Sequence, residues 1–354
     1  MTTFAVTADR IFDGEVLHGA GTVVVTDGLI TAAGPDVTVP DGAEVLRGAT
    51  LLPGLIDAHV HLSQRAHLDA LAAHGVTTAV DMASWPPSVT AALRAAAGTT
   101  QILSAGVPFI GPGGPHAQFG MPGYAVLTDP AGAAEGVARR VADGSDLVKI
   151  VLEAPGHGGP SPEVLGAVVA AAHDAGRRVV AHATHAGEMA AAVDAGVDVL
   201  THVPMGVPVD AALAHRMAGT GRVVIPTLSV AAVLAGRVPG TSYDVARDSV
   251  AAMREAGVTV LAGTDSVEQP GIPFTIPLGA TLHGELELLA GAGYSPVEVL
   301  RAATSLPARC FGLDDRGRVA PGLRADLLLV DGDPGAGVGA TRGVRRVWVG
   351  GRPV

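Results

Sequence analysis

The sequence predicts an α/β fold: a (β/α)8 barrel over residues 53–315, carrying a small discontinuous β-sandwich that residues 1–52 and 316–354 build together. Two observations lead there. Eight runs rich in β-branched residues alternate with Ala-rich helical stretches through the middle of the chain, and both ends read as short strands around turns. The composition agrees: 48% of the 354 residues are hydrophobic, 16% charged and only 3% aromatic, which describes a core of small branched side chains.

At the N-terminal end, FAVTADRIFDG, GTVVVTDGLITAAGP and AEVLRGATLL read as strands, with Asp13-Gly14 and Asp27-Gly28 as hairpin turns. ADLLLVDGDP and VRRVWVGGRPV repeat that texture at the C-terminal end. The expected barrel strands span 55–62, 76–84, 100–109, 146–152, 178–184, 198–204, 222–230 and 258–266. Helical stretches such as SPEVLGAVVAAAHDAG and AGEMAAAVDAG stop at Gly176 and Gly196. Two aperiodic stretches, 110–123 and 267–277, come directly after strands and so fall on the face where barrel enzymes keep their sites; we expect them to shape a substrate pocket.

A net charge of −11 with no basic cluster argues against nucleic acid as a partner. The N-terminus lacks the basic start and apolar core of a signal peptide, and no apolar run reaches the roughly 18–20 residues that span a bilayer. Together with a single cysteine, Cys310, which reads as a packing residue, this predicts a cytoplasmic protein without membrane attachment.

The polar residues near the C-terminal ends of the expected strands form a short set. Strand 1 supplies His59 and His61, which share a face because side chains two apart on a strand point the same way. Lys149, His182, His202 and Asp265 lie on strands 4, 5, 6 and 8. Each group buried unpaired costs several kcal/mol, so all of them converging without a partner is implausible. Four imidazoles and a carboxylate facing one point suit Zn²⁺ or a similar divalent cation. Lys149 reads two ways: paired with a neighbouring carboxylate, or as a neutral amine that captures CO₂ as a carbamate able to bridge two cations.

PGLIDAHVH, the Lys of VKI, the His of VVAHA, the His of LTHV and the Asp of AGTD resemble the amidohydrolase superfamily, in particular its imidazolonepropionase-like and prolidase-like members. LHGELELLAGAGYSPVEVLRAAT and GRVAPGLRADLLLVDGDP extend the resemblance to the C-terminal end. It implies a binuclear centre: His59, His61 and Asp265 around one cation, His182 and His202 around the other, and carboxylated Lys149 between them. It further implies that a shared hydroxide attacks a scissile carbonyl while Asp265 takes its proton and passes it to the leaving nitrogen. Mononuclear deaminases of the superfamily carry a Glu three residues after the strand-5 histidine; here that position is His185, and the first acid downstream is Glu188.

The expected activity is hydrolysis of an amide-type C–N bond in a small molecule such as a dipeptide or N-acyl amino acid. The alternatives are a lactone, carbamate or urea at the same site, or a mononuclear deaminase; a non-catalytic scaffold should lack several of the ligands. His116 and His157 lie in loops on the expected active face, where each is either a substrate or oxyanion contact or a solvated residue. Arg237 is the candidate for a substrate carboxylate, or else a loop charge. GPGG and GHGG lack the Lys-Ser/Thr ending of a phosphate loop. Barrels of this kind often associate, so a homo-oligomer is compatible with the sequence.

Overall fold

A computed structural model describes residues 2–154, 156–269, 272 and 274–354. The fold is mixed α/β with two parallel sheets and one mostly antiparallel sheet. The antiparallel sheet takes strands from both ends of the chain. Its order is Arg352–Pro353, Val344–Val349, Leu327–Val330, Glu44–Pro53, Thr3–Phe12, Gly21–Thr26 and Leu29–Gly34, with Leu17–His18 also paired to Thr3–Phe12. The Asp27-Gly28 turn, with both residues at positive φ, joins Gly21–Thr26 to Leu29–Gly34 as a hairpin.

Period-two alternation decides what each strand buries. Leu327 and Leu329 join a small cluster with Phe4, Val6 and Trp348, whereas Leu328 and Val330 face the main core. Phe4 and Trp348 stack at 5.4 Å across this small cluster.

The two parallel sheets follow chain order except that the late strand Ser266–Val267 lies beside Leu55–His61. One runs Ser266–Val267, Leu55–His61, Val76–Asp81, Gln101–Ser104; the other runs Val148–Leu152, Val179–Ala183, Val199–Thr201, Val223–Ile225, Thr259–Val260. Helices connect the strands, as the right-handed crossover of parallel pairs requires. Backbone hydrogen bonds link the two sheets at both edges. Phe109 N donates to Lys149 O at 2.7 Å on one side; Ala58 N donates to Ala262 O at 2.9 Å and Asp265 N to His59 O at 2.8 Å on the other.

The helix signals have their expected causes. Ser161 and Asp210 cap Pro162–Asp174 and Ala211–Gly219, Ser295 and Glu298 form a capping box, and Gly196 ends Ala186–Ala195 at φ 89°. Several expected strands prove shorter. The stretch 222–230 is strand only over Val223–Ile225, because Thr227 turns left-handed (φ 50°) and starts the helix Leu228–Leu234. In 258–266 the strand is Thr259–Val260, after which Asp265 turns at φ 56° and Ser266–Val267 pairs beside Leu55–His61. In 100–109 regular pairing stops at Ser104, and Arg140 holds the segment Val107–Phe109 in place. Buried, it donates to the carbonyls of Val107, Pro108 and Gly136, with its guanidinium 3.3 Å from the Phe109 ring.

The chain passes from the terminal sheet to the parallel sheet at Gly54, between strands Glu44–Pro53 and Leu55–His61. Gly54 N donates to Asp326 O at 2.8 Å, and a Cβ at position 54 would overlap the Thr77 side chain. Gly54→Ala should therefore lower stability by about 1–3 kcal/mol, the usual penalty of overpacking. Trimming the obstacle in Gly54→Ala/Thr77→Ala should recover part of it in urea melts; strict additivity would show that the two positions do not meet.

Cys310 sits partly buried against Leu306 and Phe311, and burial pushes its thiol up to about 11. At pH 8 it should react with a thiol reagent on the order of 100-fold more slowly than free cysteine, the rate climbing toward pH 11 as the thiolate forms. A stopped-flow trace matching free cysteine would contradict that burial.

Candidate metal centre

Leu55–His61 places Asp57, His59 and His61 on one face, and Asp57 supplies the scaffold beneath the two rings. Its carboxylate accepts from the backbone N–H groups of His59 (3.2 Å) and Thr264 (3.1 Å) and from Thr264 Oγ1 (2.8 Å). Asp57 thus ties the strand bearing the histidines to the segment bearing Asp265. Burial pushes its carboxyl up to about 7, against these hydrogen bonds.

Asp265 is the meeting point. Its Oδ1 lies 3.1 Å from His59 Nε2 and 3.0 Å from His61 Nε2, and its Oδ2 lies 3.9 Å from His202 Nδ1. The His59 and His202 rings are 5.0 Å apart, and those of His202 and His182 4.3 Å. Lys149 Nζ donates to Thr201 Oγ1 at 2.8 Å. All six residues singled out in the sequence line one cavity of about 440 Å³.

Burial sets the protonation. It lowers His59 to about 4, takes His182 and His202 well below the ordinary imidazole range, and lowers Lys149 to about 7. Burial also opposes a charged His61, but its hydrogen bond to Asp265 prevails and raises it. Asp265 goes the other way: despite burial, His59 and its neighbours hold its carboxyl well below the carboxylate range. Neutral imidazoles beside an ionised carboxylate are the protonation states in which these groups bind a cation.

The donor set fits a divalent cation on a further observation. His59, His202 and Asp265 offer ligand atoms within 4.8 Å of one another, and the buried His59 Nδ1 has no hydrogen-bond partner among the described residues. A buried ring nitrogen in a packing role would ordinarily be hydrogen-bonded, as His202 Nδ1 is to Thr227 Oγ1 at 2.8 Å.

The three further residues expected to contact substrate separate here. His116 lines the cavity, its ring 4.8 Å from that of His182, whereas His157 and Arg237 are exposed and outside the lining. Of the two irregular loops, 110–123 contributes Phe119 and Met121 and 267–277 contributes Gln269 and Phe274; positions 270, 271 and 273 lie outside the described residues. The glycine-rich stretches meet backbone to backbone: a Cβ on Gly158 would lie 2.8 Å from the Gly113 carbonyl carbon. They serve close approach, and no phosphate-loop geometry is involved.

Four residues escaped the sequence reading. Glu153, directly after strand Val148–Leu152, accepts from His116 Nδ1 (2.9 Å) and His116 N (3.1 Å) across that loop junction. Thr201 and Thr227 hold Lys149 and His202. Glu285, fully buried on helix Ala280–Gly291, accepts from Leu228 N (2.9 Å), Ser229 N (2.7 Å) and Ser229 Oγ (2.7 Å). It caps Leu228–Leu234 in place of Thr227, whose hydroxyl is engaged by His202. An acid inside the apolar run LHGELELL was the available signal.

The amidohydrolase family matches residues 50–354, and the chain belongs to that family of metal-dependent hydrolases acting on C–N bonds. An uncharacterised protein of Mycobacterium tuberculosis is 31% identical over 333 residues, 83% of this chain and 82% of its own length. The crystal structure of a putative prolidase from Bifidobacterium longum matches with a TM-score of 0.82 and 27% identity, covering 100% of this chain and 94% of the other. A Xaa-Pro dipeptidase with bound methionine matches with a TM-score of 0.85 over 100% of both chains; at 22% identity that likeness is one of fold. Membership implies the use of a divalent metal.

Glu285→Leu should strip three donors of their acceptor and cost about 2 kcal/mol or more. If Glu285 also keeps Thr227 under His202, the variant should retain less metal after dialysis, read by elemental analysis. Unchanged urea midpoint and metal content would dismiss both roles.

Proposed function

We propose that the chain hydrolyses an amide-type C–N bond of a small molecule, using two divalent cations held by His59, His61, Lys149, His182, His202 and Asp265. The observation that carries this is the convergence of His59 and His61 on Asp265 Oδ1 within a cavity lined by all six groups. We read residues 53–315 as one closed (β/α)8 barrel and residues 1–52 with 316–354 as a composite β-sandwich; the backbone hydrogen bonds at both edges of the parallel sheets support the first of these.

Bound divalent cations acidify a water and polarise the carbonyl under attack. The chain supplies the rest. Lys149, lowered to about 7 by burial, has an appreciable neutral fraction near pH 7; its amine could add to CO₂ with loss of one proton, and the resulting carbamate would offer anionic oxygens to the cations. Asp265 accepts the proton of the attacking water and returns it to the departing nitrogen, its low pKa keeping it ionised until the water approaches. The imidazoles of His59, His182 and His202, kept neutral by burial, would hold lone pairs available to the cations. His116, aligned by Glu153 on Nδ1 and adjacent to His182, is placed to steady the oxygen of the scissile group. The zinc assignment rests on the N/O donor set.

Elemental analysis of the purified protein should find close to two divalent ions per chain, zinc among them. Lys149→Ala should lose metal and activity together, with partial recovery on adding a short carboxylic acid. Full activity in that variant excludes the carbamate, and absence of metal after supplementation excludes the centre.

A further inference from the structure

The cavity concentrates a scarce resource. The chain has only two Trp, three Tyr and six Phe residues, and seven methionines. Trp85, Phe119 and Phe274, with Met82, Met121 and Met205, line this one cavity. Aromatic faces and soft thioethers are suited to flat, apolar groups, and methionine adapts to their outline.

Charge points the same way. Among the described residues the lining contains no arginine, and Lys149 is its one lysine. Lys149 is engaged by Thr201, and His116 by the Glu153 carboxylate. The arginines on neighbouring elements are committed elsewhere: Arg140 to backbone carbonyls under Phe109, and Arg139 to the face of Tyr124 at 3.5 Å. Arg237 is exposed and outside the lining. Among the described residues a carboxylate on either side of the scissile bond would therefore find no free cationic side chain in the lining, only the neutral donors Gln118, Thr184 and Gln269 beside an apolar wall, a penalised placement for a charge. The overall charge of −11 adds a long-range penalty for anions.

Taking the hydrolase reading above as its basis, we infer that the substrate is an uncharged amide-type compound bearing an apolar, ring-sized group, and that free carboxylates such as those of dipeptides and N-acyl amino acids are selected against. The apolar wall of Trp85, Phe119 and Phe274 is the specificity element.

Matched pairs on the metal-loaded wild-type protein test this. Acetanilide and 4-acetamidobenzoate differ by a carboxylate on the amine side; N-methylbenzamide and 4-(methylcarbamoyl)benzoate differ by one on the acyl side. The neutral member of each pair should be hydrolysed with a kcat/KM about 100-fold higher or more, as an unpartnered buried charge demands. Equal rates, or preference for the carboxylated member, overturn the inference while leaving the hydrolase reading intact. If no member is hydrolysed, calorimetric titration of the same four compounds separates the claims. Binding of the neutral members alone supports the substrate class and counts against the hydrolase reading; binding of neither, or of the carboxylated members, overturns the substrate class.

Discussion

The arrangement of the site depends on one buried carboxylate, that of Asp57. It is not a candidate ligand and does not line the cavity, yet its two oxygens take hydrogen bonds from the strand that carries His59 and His61 and from Thr264 beside Asp265. Thr264 Oγ1 continues to Ser266 Oγ at 2.7 Å, and Ser266 Oγ to Pro277 O at 3.0 Å, so the loop after the last strand is held by the same chain of bonds. Besides this brace, the approach of Asp265 Oδ1 to two imidazoles rests on backbone bonds alone, from Asp265 N to His59 O and Ala58 N to Ala262 O and in the pairing of Ser266–Val267 with Leu55–His61. Burying Asp57 is costly, as its raised pKa records; what it provides is the register between the first and last strands of one parallel sheet.

A second cost is stored in the backbone. Among the described residues four non-glycine positions adopt positive φ, and three of them, His202, Thr227 and Asp265, lie in the cavity lining. A β-branched residue in the left-handed region is unusual, and each such conformation costs on the order of 1–3 kcal/mol. The compensation is local. His202 and Thr227 bond to each other through their side chains, His202 N donates to Ile225 O at 2.8 Å, and Glu285 caps the helix that begins just after Thr227. His202 and Asp265 reach the site from left-handed turns at strand ends, whereas His59 and His61 reach it from the period-two strand Leu55–His61.

The same two features explain how much was legible in the sequence. The six candidate ligands were readable because each is a polar residue in an apolar strand, an anomaly detectable one residue at a time. The alternation of strands and helices was readable by the same local periodicity. The premature end of the strand at Val223–Ile225 was not, because nothing in RVVIPTLSV marks Thr227 as left-handed until His202 claims its hydroxyl. Glu153, Thr201 and Glu285 were missed for a related reason: their partners lie far away in sequence, 57 residues in the case of Glu285 and Leu228. Arg237 and His157 were singled out by loop membership alone, which does not say which way a side chain faces; both are exposed and outside the cavity lining.

The apolar wall and the polar cluster are physically one device. Burial keeps the imidazoles of His59, His182 and His202 neutral, and the neighbouring histidines hold Asp265 ionised against the burial that opposes its charge. Trp85, Phe119, Phe274 and the methionines maintain that condition on the solvent side of the ligands. An arginine placed among them to hold a substrate carboxylate would add a permanent positive charge beside the candidate ligands and oppose the binding of a cation there. A barrel that also served anionic substrates would have to set that charge at a distance, on the rim, with its own carboxylate or solvent around it. Here Arg237, the candidate for that role, is exposed and outside the lining, and the histidine beside the cluster, His116, is already engaged by the Glu153 carboxylate. On the proposal of a neutral substrate, the burial that keeps the imidazoles of His59, His182 and His202 uncharged and the apolar wall of Trp85, Phe119 and Phe274 would act in the same direction.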